Sequence, residues 1–164
     1  MYSRSIEGNP QAVGIDRTIQ VPVRTLTHYE GLPLPEYKSE GAAGMDLLAA
    51  IDDDLTLDPN KTVAVPTGIA IEIPTGYEAQ VRPRSGLALH HNITVMNSPG
   101  TIDSDYRGEI KVLLINLSPV PFTIKRGDRI AQIVFAKYSK VQWIKVEKLE
   151  ETQRDSGGFG HTGR

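Results

Sequence analysis

Between about Ile19 and Lys148 no apolar-periodic run lasts more than a few residues before Gly, Pro, Asn or Asp interrupts it. The β-type stretches are Ile19–Leu26, Met45–Ala49, Thr62–Pro66, Ile69–Ile73, Tyr77–Arg82, Ile93–Asn97, Glu109–Asn116, Phe122–Ile124, Ile130–Lys137 and Val141–Val146. Several alternate with the two-residue period of a half-buried strand, as in Ala70-Ile71-Glu72-Ile73. Turn signals separate them: Pro74-Thr75-Gly76, Ser98-Pro99-Gly100, Ser118-Pro119 and Arg126-Gly127-Asp128. Regularly spaced short strands imply an all-β sandwich or barrel, not an alternating β/α chain. One short helix is expected over Ser85–His91, with a Ser capping its first turn.

The 164 residues fit one domain and can bury a core without staples. The chain lacks cysteine, which removes disulfides and thiolate metal sites and suits a reducing cytoplasm. A formal net charge of −2 gives no broad positive field for nucleic acid or an anionic membrane, so any anionic ligand needs a local cluster of donors. The first eighteen residues hold no apolar run of signal-peptide type, and no stretch approaches a membrane span; the expectation is a soluble, cytoplasmic protein. Residues 1–18 read as a loose extension, 19–149 as the folded body, and 150–164 as a flexible arm with four glycines and one Phe.

Four clusters carry candidate chemistry. In Arg82-Pro83-Arg84-Ser85-Gly86-Leu87, Arg84 can fork onto two phosphate oxygens and Ser85 offers a hydroxyl and an N–H. Gly86 permits close approach, and a helix starting here turns its positive end toward an anion. Taken alone, the segment reads first as a surface Arg before an ordinary helix start. Gly100-Thr101-Ile102-Asp103-Ser104-Asp105-Tyr106-Arg107-Gly108 reads as a hairpin bounded by glycines; on a strand Asp103 and Asp105 would share a face. One carboxylate could act as a base toward water while Tyr106 packs against a sugar or base, but an Asp-rich turn with a covering Tyr fits equally well. Asp46 and Gln132 are polar residues set in apolar strands, each needing a partner in the fold or a ligand. In Arg154-Asp155-Ser156-Gly157-Gly158-Phe159-Gly160-His161-Thr162-Gly163, consecutive N–H groups can curl around phosphate. The plain reading is a solvated tail; Phe159, apt for stacking on a nucleobase, stands against it.

Together and in order, Ala43-Gly44-Met45-Asp46-Leu47, Arg82 to Leu87, Gly100 to Gly108, Arg126 to Gln132 and Arg154 to Gly163 resemble the five motifs of the trimeric dUTPases. The resemblance runs from about Thr18 to Arg164. It implies a distorted jelly-roll β-barrel and a homotrimer with active sites at subunit interfaces, hydrolysing dUTP to dUMP and pyrophosphate with Mg2+. It implies that Asp103 activates the attacking water, worth about 10²–10⁴-fold for a carboxylate base. Charge stabilisation by magnesium, Arg84 and the tail would supply the larger share. The ion would sit on the triphosphate, with Asp46 and Gln132 touching only its waters.

By the same resemblance, Ser85, Gly86, Gln132, Arg154, Gly160, His161 and Thr162 serve the phosphates and Phe159 stacks on uracil. Asn97, Gly100, Ile102 and Lys111 fall at nucleotide-binding positions, and Tyr106 lies under the deoxyribose, leaving no room for a 2′-hydroxyl. Trp143 reads as interface or core packing. The implied cellular role is keeping uracil out of DNA and supplying dUMP for thymidylate synthesis, with no nucleic-acid or membrane partner. Two alternatives stand beside this: a dCTP deaminase-like enzyme of the same fold, and a nucleotide-binding module without turnover.

Overall fold

The computed structural model describes residues 18–152 together with Arg154 and Ser156. Eleven strands follow one another there: β1 (Val23–Thr25), β2 (Gly44–Leu48), β3 (Leu55–Leu57), β4 (Thr62–Pro66), β5 (Ile69–Ile71) and β6 (Tyr77–Arg82), then β7 (Ile93–Val95), β8 (Gly100–Ile102), β9 (Lys111–Asn116), β10 (Phe122–Ile124) and β11 (Arg129–Lys137). Helix α1 (Ser85–His91) lies between β6 and β7, and a 3₁₀ turn covers Thr27–Tyr29. Every pairing is antiparallel. The ladders run β2-β11-β6-β8, β4-β9-β7, β1-β5 and β3-β10, a jelly-roll-like distribution over four small sheets.

Alternation decides what is buried. On β9, Val112, Leu114 and Asn116 point into the core while Lys111 and Leu113 face out. Leu47, Val65, Ile93, Ile110, Ile124 and Ile130 complete the most deeply buried layer. Each such side chain contributes about 1.5–3 kcal/mol relative to leaving it in water. The one fully buried carboxamide, Asn116 among the described residues, is saturated. Its Nδ2 donates to Leu57 O (2.9 Å) and Val120 O (2.8 Å), and its Oδ1 accepts from Ser118 N–H (2.8 Å).

Several local expectations change. Ser85 is the first helical residue, and the capping position belongs to Arg84, whose extended backbone has no side-chain cap. A serine already in helical conformation cannot reach the N–H groups two and three residues on, so the expected Ser cap does not form. The acidic segment is not a closed hairpin. β8 joins the four-stranded sheet and β9 the three-stranded one, so residues 103–110 cross between sheets. Asp103 and Asp105 therefore do not share a strand face; they lie in a turn closed by Tyr106 N–H donating to Asp103 O (3.1 Å), with both side chains exposed. Val141–Val146 forms no strand, and Trp143 is 91% exposed, which removes core packing in its own chain from its possible roles.

Candidate active site

The strand register brings the first, second and fourth motifs together. Gln132 on β11 stands opposite Asp46 on β2 and Arg82 on β6, so the two polar intrusions predicted from sequence are direct neighbours. The Arg84 Nε donates to Asp46 Oδ1 at 2.7 Å, and Arg84 Nη1 donates to Arg129 O at 3.1 Å. Arg129 Nη1 approaches Asp46 Oδ2 at 3.7 Å. Gln132 Nε2 donates to Pro83 O at 2.9 Å, tying β11 to the junction between β6 and α1. Gly44 makes this possible: a Cβ there would collide with Gln132 Oε1. Asp46 thus finds its partner in Arg84, and Gln132 finds its partner in the Pro83 backbone. The carboxylate and the Arg129 carbonyl fix the guanidinium plane at the start of α1, a charge-assisted arrangement with little rotamer freedom. Among the described residues an added Cβ at Gly86 would meet nothing within 4 Å, which leaves room for close approach to this backbone.

The acidic turn forms a second group. Tyr106, 45% exposed, folds its ring back over Gly108, where a Cβ would lie 2.6 Å from the Tyr106 Cζ. Its hydroxyl donates to Glu109 O at 2.9 Å. Arg107 Nη1 donates to Ser104 O (2.7 Å) and Tyr106 O (3.0 Å), bracing the turn. Exposed Asn97 sits beside buried Gly100, whose hypothetical Cβ would meet the Asn97 Nδ2 at 3.0 Å. Ile102 ends β8 and packs on the core, and Lys111 opens β9 facing solvent.

These two groups lie far apart in one chain. Ile102 pairs with Ala79 and Gly100 with Val81, so β8 runs away from Arg84 as it approaches Asp103. The next position, Asp103, falls level with Glu78, and six residues of extended chain from Glu78 to Arg84 span about 20 Å. Within one chain the register therefore sets the Arg84 and Asp103 backbones well apart, toward opposite ends of β6.

Of the arm, Phe159, Gly160, His161 and Thr162 lie outside the described residues, as does the extension at residues 1–17. Arg154 is described and engaged in an interaction within the protein. Sequence reasoning missed Arg129, Pro83, Glu109 and His28. Arg129 and Pro83 stood inside quoted motifs but act through a carbonyl oxygen or a flanking charge, which leaves no residue-type signal. His28 and Glu109 meet across 81 positions, a contact no local pattern encodes.

Solved structures define the class as the jelly-roll-like dUTPase fold. A variant dUTPase of Staphylococcus bacteriophage 80alpha, solved with dUpNHpp, superposes with a TM-score of 0.80 at 23% identity, covering 90% of this chain and 100% of that one. A variant dUTPase from phage phi11 of S. aureus, described for its coordination of a structural Mg(II) ion, gives 0.72 at 23% identity over 81% of this chain and 100% of that one. The family model described as dUTPase matches residues 30–163. The deoxyuridine 5'-triphosphate nucleotidohydrolase of Wolbachia pipientis is 57% identical over 148 residues, 89% of this chain and 97% of that protein. This chain belongs to the dUTPase family. No helix among the described residues is long and apolar enough to cross a membrane.

Proposed function

We propose that the chain, a dUTP diphosphatase by family, cleaves dUTP to dUMP and pyrophosphate by attack of an Asp103-activated water on the α-phosphorus. The observation that carries the phosphate end of this reading is the Asp46–Arg84 pair in register with Gln132. It presents a pre-oriented guanidinium beside the Gly86 backbone, which among the described residues has open space around it, so little reorganisation remains when anionic charge develops. Magnesium fits this donor set as a triphosphate-borne ion. Asp46 and Gln132 would touch the ion's waters and not the ion itself. The ion would supply charge neutralisation on the phosphate oxygens. Asp103 orients the water and takes its proton; Tyr106, braced over Gly108, underlies the deoxyribose; Asn97, Gly100 and Ile102 read the base edge; Lys111 adds positive charge; and Ser85 and Gly86 hold phosphate.

The working unit is a homotrimer whose site draws Arg84 and Asp103 from different copies. The separation of about 20 Å between them along extended chain supports this. So do large side chains exposed in the single chain: Leu113, Leu117 and Met96 on the β7–β9 face, and Val141, Trp143 and Ile144 beyond β11. The body over residues 19–149 supports an arm over 150–164 that closes on bound nucleotide. There Phe159 stacks on uracil while Arg154, Gly160, His161 and Thr162 cover the phosphates. A protein without cysteine, acting on a metabolite, fits the cytoplasm, where its role is keeping uracil out of DNA and providing dUMP.

The test is pyrophosphate release from dUTP, dCTP, dTTP and UTP, with magnesium and with chelator. Magnesium-dependent release from dUTP alone is expected. Ammonia from dCTP would favour a deaminase, and dUTP binding without turnover would leave a binding module. Asp103→Asn is expected to slow turnover by at least about 10²-fold, and near-normal turnover in that variant would remove Asp103 from the role.

A further inference from the structure

Glu109 follows the glycine on which the Tyr106 ring rests, and three elements converge on it. Its Oε1 accepts from Gly68 N–H at 2.9 Å and contacts His28 Nε2 at 2.7 Å; its backbone oxygen accepts the Tyr106 hydroxyl at 2.9 Å. A carboxylate can only accept, so the His28 Nε2 carries the hydrogen in this contact. The Glu109 side chain is 14% exposed and that of His28 30%, shielded enough for the geometry to be held. Behind them, Arg126 of the fourth motif donates through Nη2 to His28 O (3.0 Å) and Glu30 O (2.7 Å), and through Nη1 to Ile51 O (3.0 Å). Gly68 is held in turn by Leu26 N–H donating to its carbonyl at 2.8 Å. A positive φ of 69° and a Tyr29 ring edge 2.9 Å from any added Cβ tie that position to glycine.

We propose that Glu109 and His28 are positioning residues for sugar selection: through the Glu109 carbonyl they set the height and tilt of the Tyr106 ring, and Arg126 locks His28 in place. This rests on the reading of Tyr106 as the surface under the deoxyribose. The Tyr106 ring has two fixed points, its backbone in the turn and its hydroxyl on Glu109. Without the side-chain contacts to His28 and Gly68 the Glu109 carbonyl shifts, and the ring that it anchors lifts from Gly108 and opens the space that excludes a 2′-hydroxyl. A displacement of about 1 Å at such a platform is enough to cost on the order of 10²-fold in a tuned site. Arg126, which sequence reading placed in a tight turn, is thereby linked to the acidic turn through His28, with no contact to nucleotide required.

The experiment measures kcat and KM separately for dUTP and UTP in Tyr106→Ala, Glu109→Ala, His28→Ala and Glu109→Gln, with melting temperature and trimer mass recorded for each. Tyr106→Ala tests the underlying reading by lowering the dUTP/UTP ratio of kcat/KM. Glu109→Ala and His28→Ala are expected to lower that ratio in the same direction, chiefly through KM for dUTP. Glu109→Gln, which keeps an oxygen for Gly68 and His28, should restore most of it. A purely structural pin would lower the melting temperature and leave the ratio at its original value. If Tyr106→Ala moves the ratio while both Glu109→Ala and His28→Ala leave it unchanged, the proposal is overturned and the Tyr106 reading stands. If Tyr106→Ala itself leaves the ratio unchanged, both fall. Should Glu109→Ala fail to fold, His28→Ala decides alone, since it keeps Glu109 and its bond from Gly68 and removes only the His28 contact that holds the Glu109 carboxylate, and with it the carbonyl, in position.

Discussion

Arg84 holds its position through two different nitrogens, one on a carboxylate and one on a main-chain oxygen, and that geometry needs a planar fork. A lysine carries its charge on one atom and cannot keep both contacts while meeting phosphate. Arg84→Lys is therefore expected to reduce kcat/KM for dUTP by about 10²-fold, or about 3 kcal/mol, in steady-state pyrophosphate release. A loss within twofold would mean the fork is not used. Asn116 makes the opposite kind of prediction, on stability alone. Asn116→Ala strands the Leu57 carbonyl and the Ser118 N–H in the core, while Val120 O keeps the bond from the Ser118 hydroxyl, and is expected to cost about 2–4 kcal/mol in denaturant unfolding. At this scale Asp46 and Gln132 stand out in the sequence as polar residues in apolar strands, whereas Arg84 and Tyr106 read locally as ordinary surface and turn residues and gain their roles only from the ordered motifs. Sequence reading passed over Asn116 and Glu109, since a polar residue ending a strand or following a glycine looks like ordinary turn chemistry. Their partners lie 59 and 81 positions away.

Strands of five or more residues, β2, β4, β6, β9 and β11, were legible to within two residues: β4, β6 and β9 by alternation that specifies the buried face, β2 and β11 as apolar runs bounded by turn residues. β3 and β8, three residues each, were not: β3 exists by pairing with β10 and β8 by pairing with β6. Val141–Val146 shows the converse, a strand pattern that finds no partner among the described residues. Trp143 is the only tryptophan, so its emission reports on this segment alone. In the assembled protein the emission is expected to be blue-shifted and quencher-protected, moving to the red on dissociation; a fully solvated spectrum in the trimer would contradict coverage by a neighbouring copy. The 3₁₀ turn supplies a pH handle. Burial raises the Tyr29 phenol above its ordinary value of 10.0, while its hydroxyl donates to Pro33 O at 2.6 Å. A raised folded-state pKa contributes stability that is complete below the unfolded value and lost as pH climbs through the folded one. Melting temperature should thus fall above about pH 10, and Tyr29→Phe should flatten that fall while lowering stability at neutral pH. An equally steep decline in the variant would assign the alkaline loss to other groups.

At the scale of the molecule, a net charge of −2 leaves anion binding to local geometry, and that geometry is divided between the two ends of the β6–β8 ladder. The order of the five motifs revealed the family, but linear order carries no distance; only the antiparallel register of β8 on β6 makes the division visible. The central claim, that one working site takes Arg84 from one copy and Asp103 from another, is tested most directly by mixing two dead proteins. Arg84→Ala and Asp103→Asn chains, each inactive alone, are unfolded together at equal amounts, refolded and assayed for pyrophosphate release from dUTP. Random assembly should pair an intact Arg84 with an intact Asp103 at about one interface in four and restore activity toward a quarter of the original. Activity no greater than the sum of the two parents, in a preparation verified to contain mixed trimers, would contradict the account and return both residues to a site within one chain.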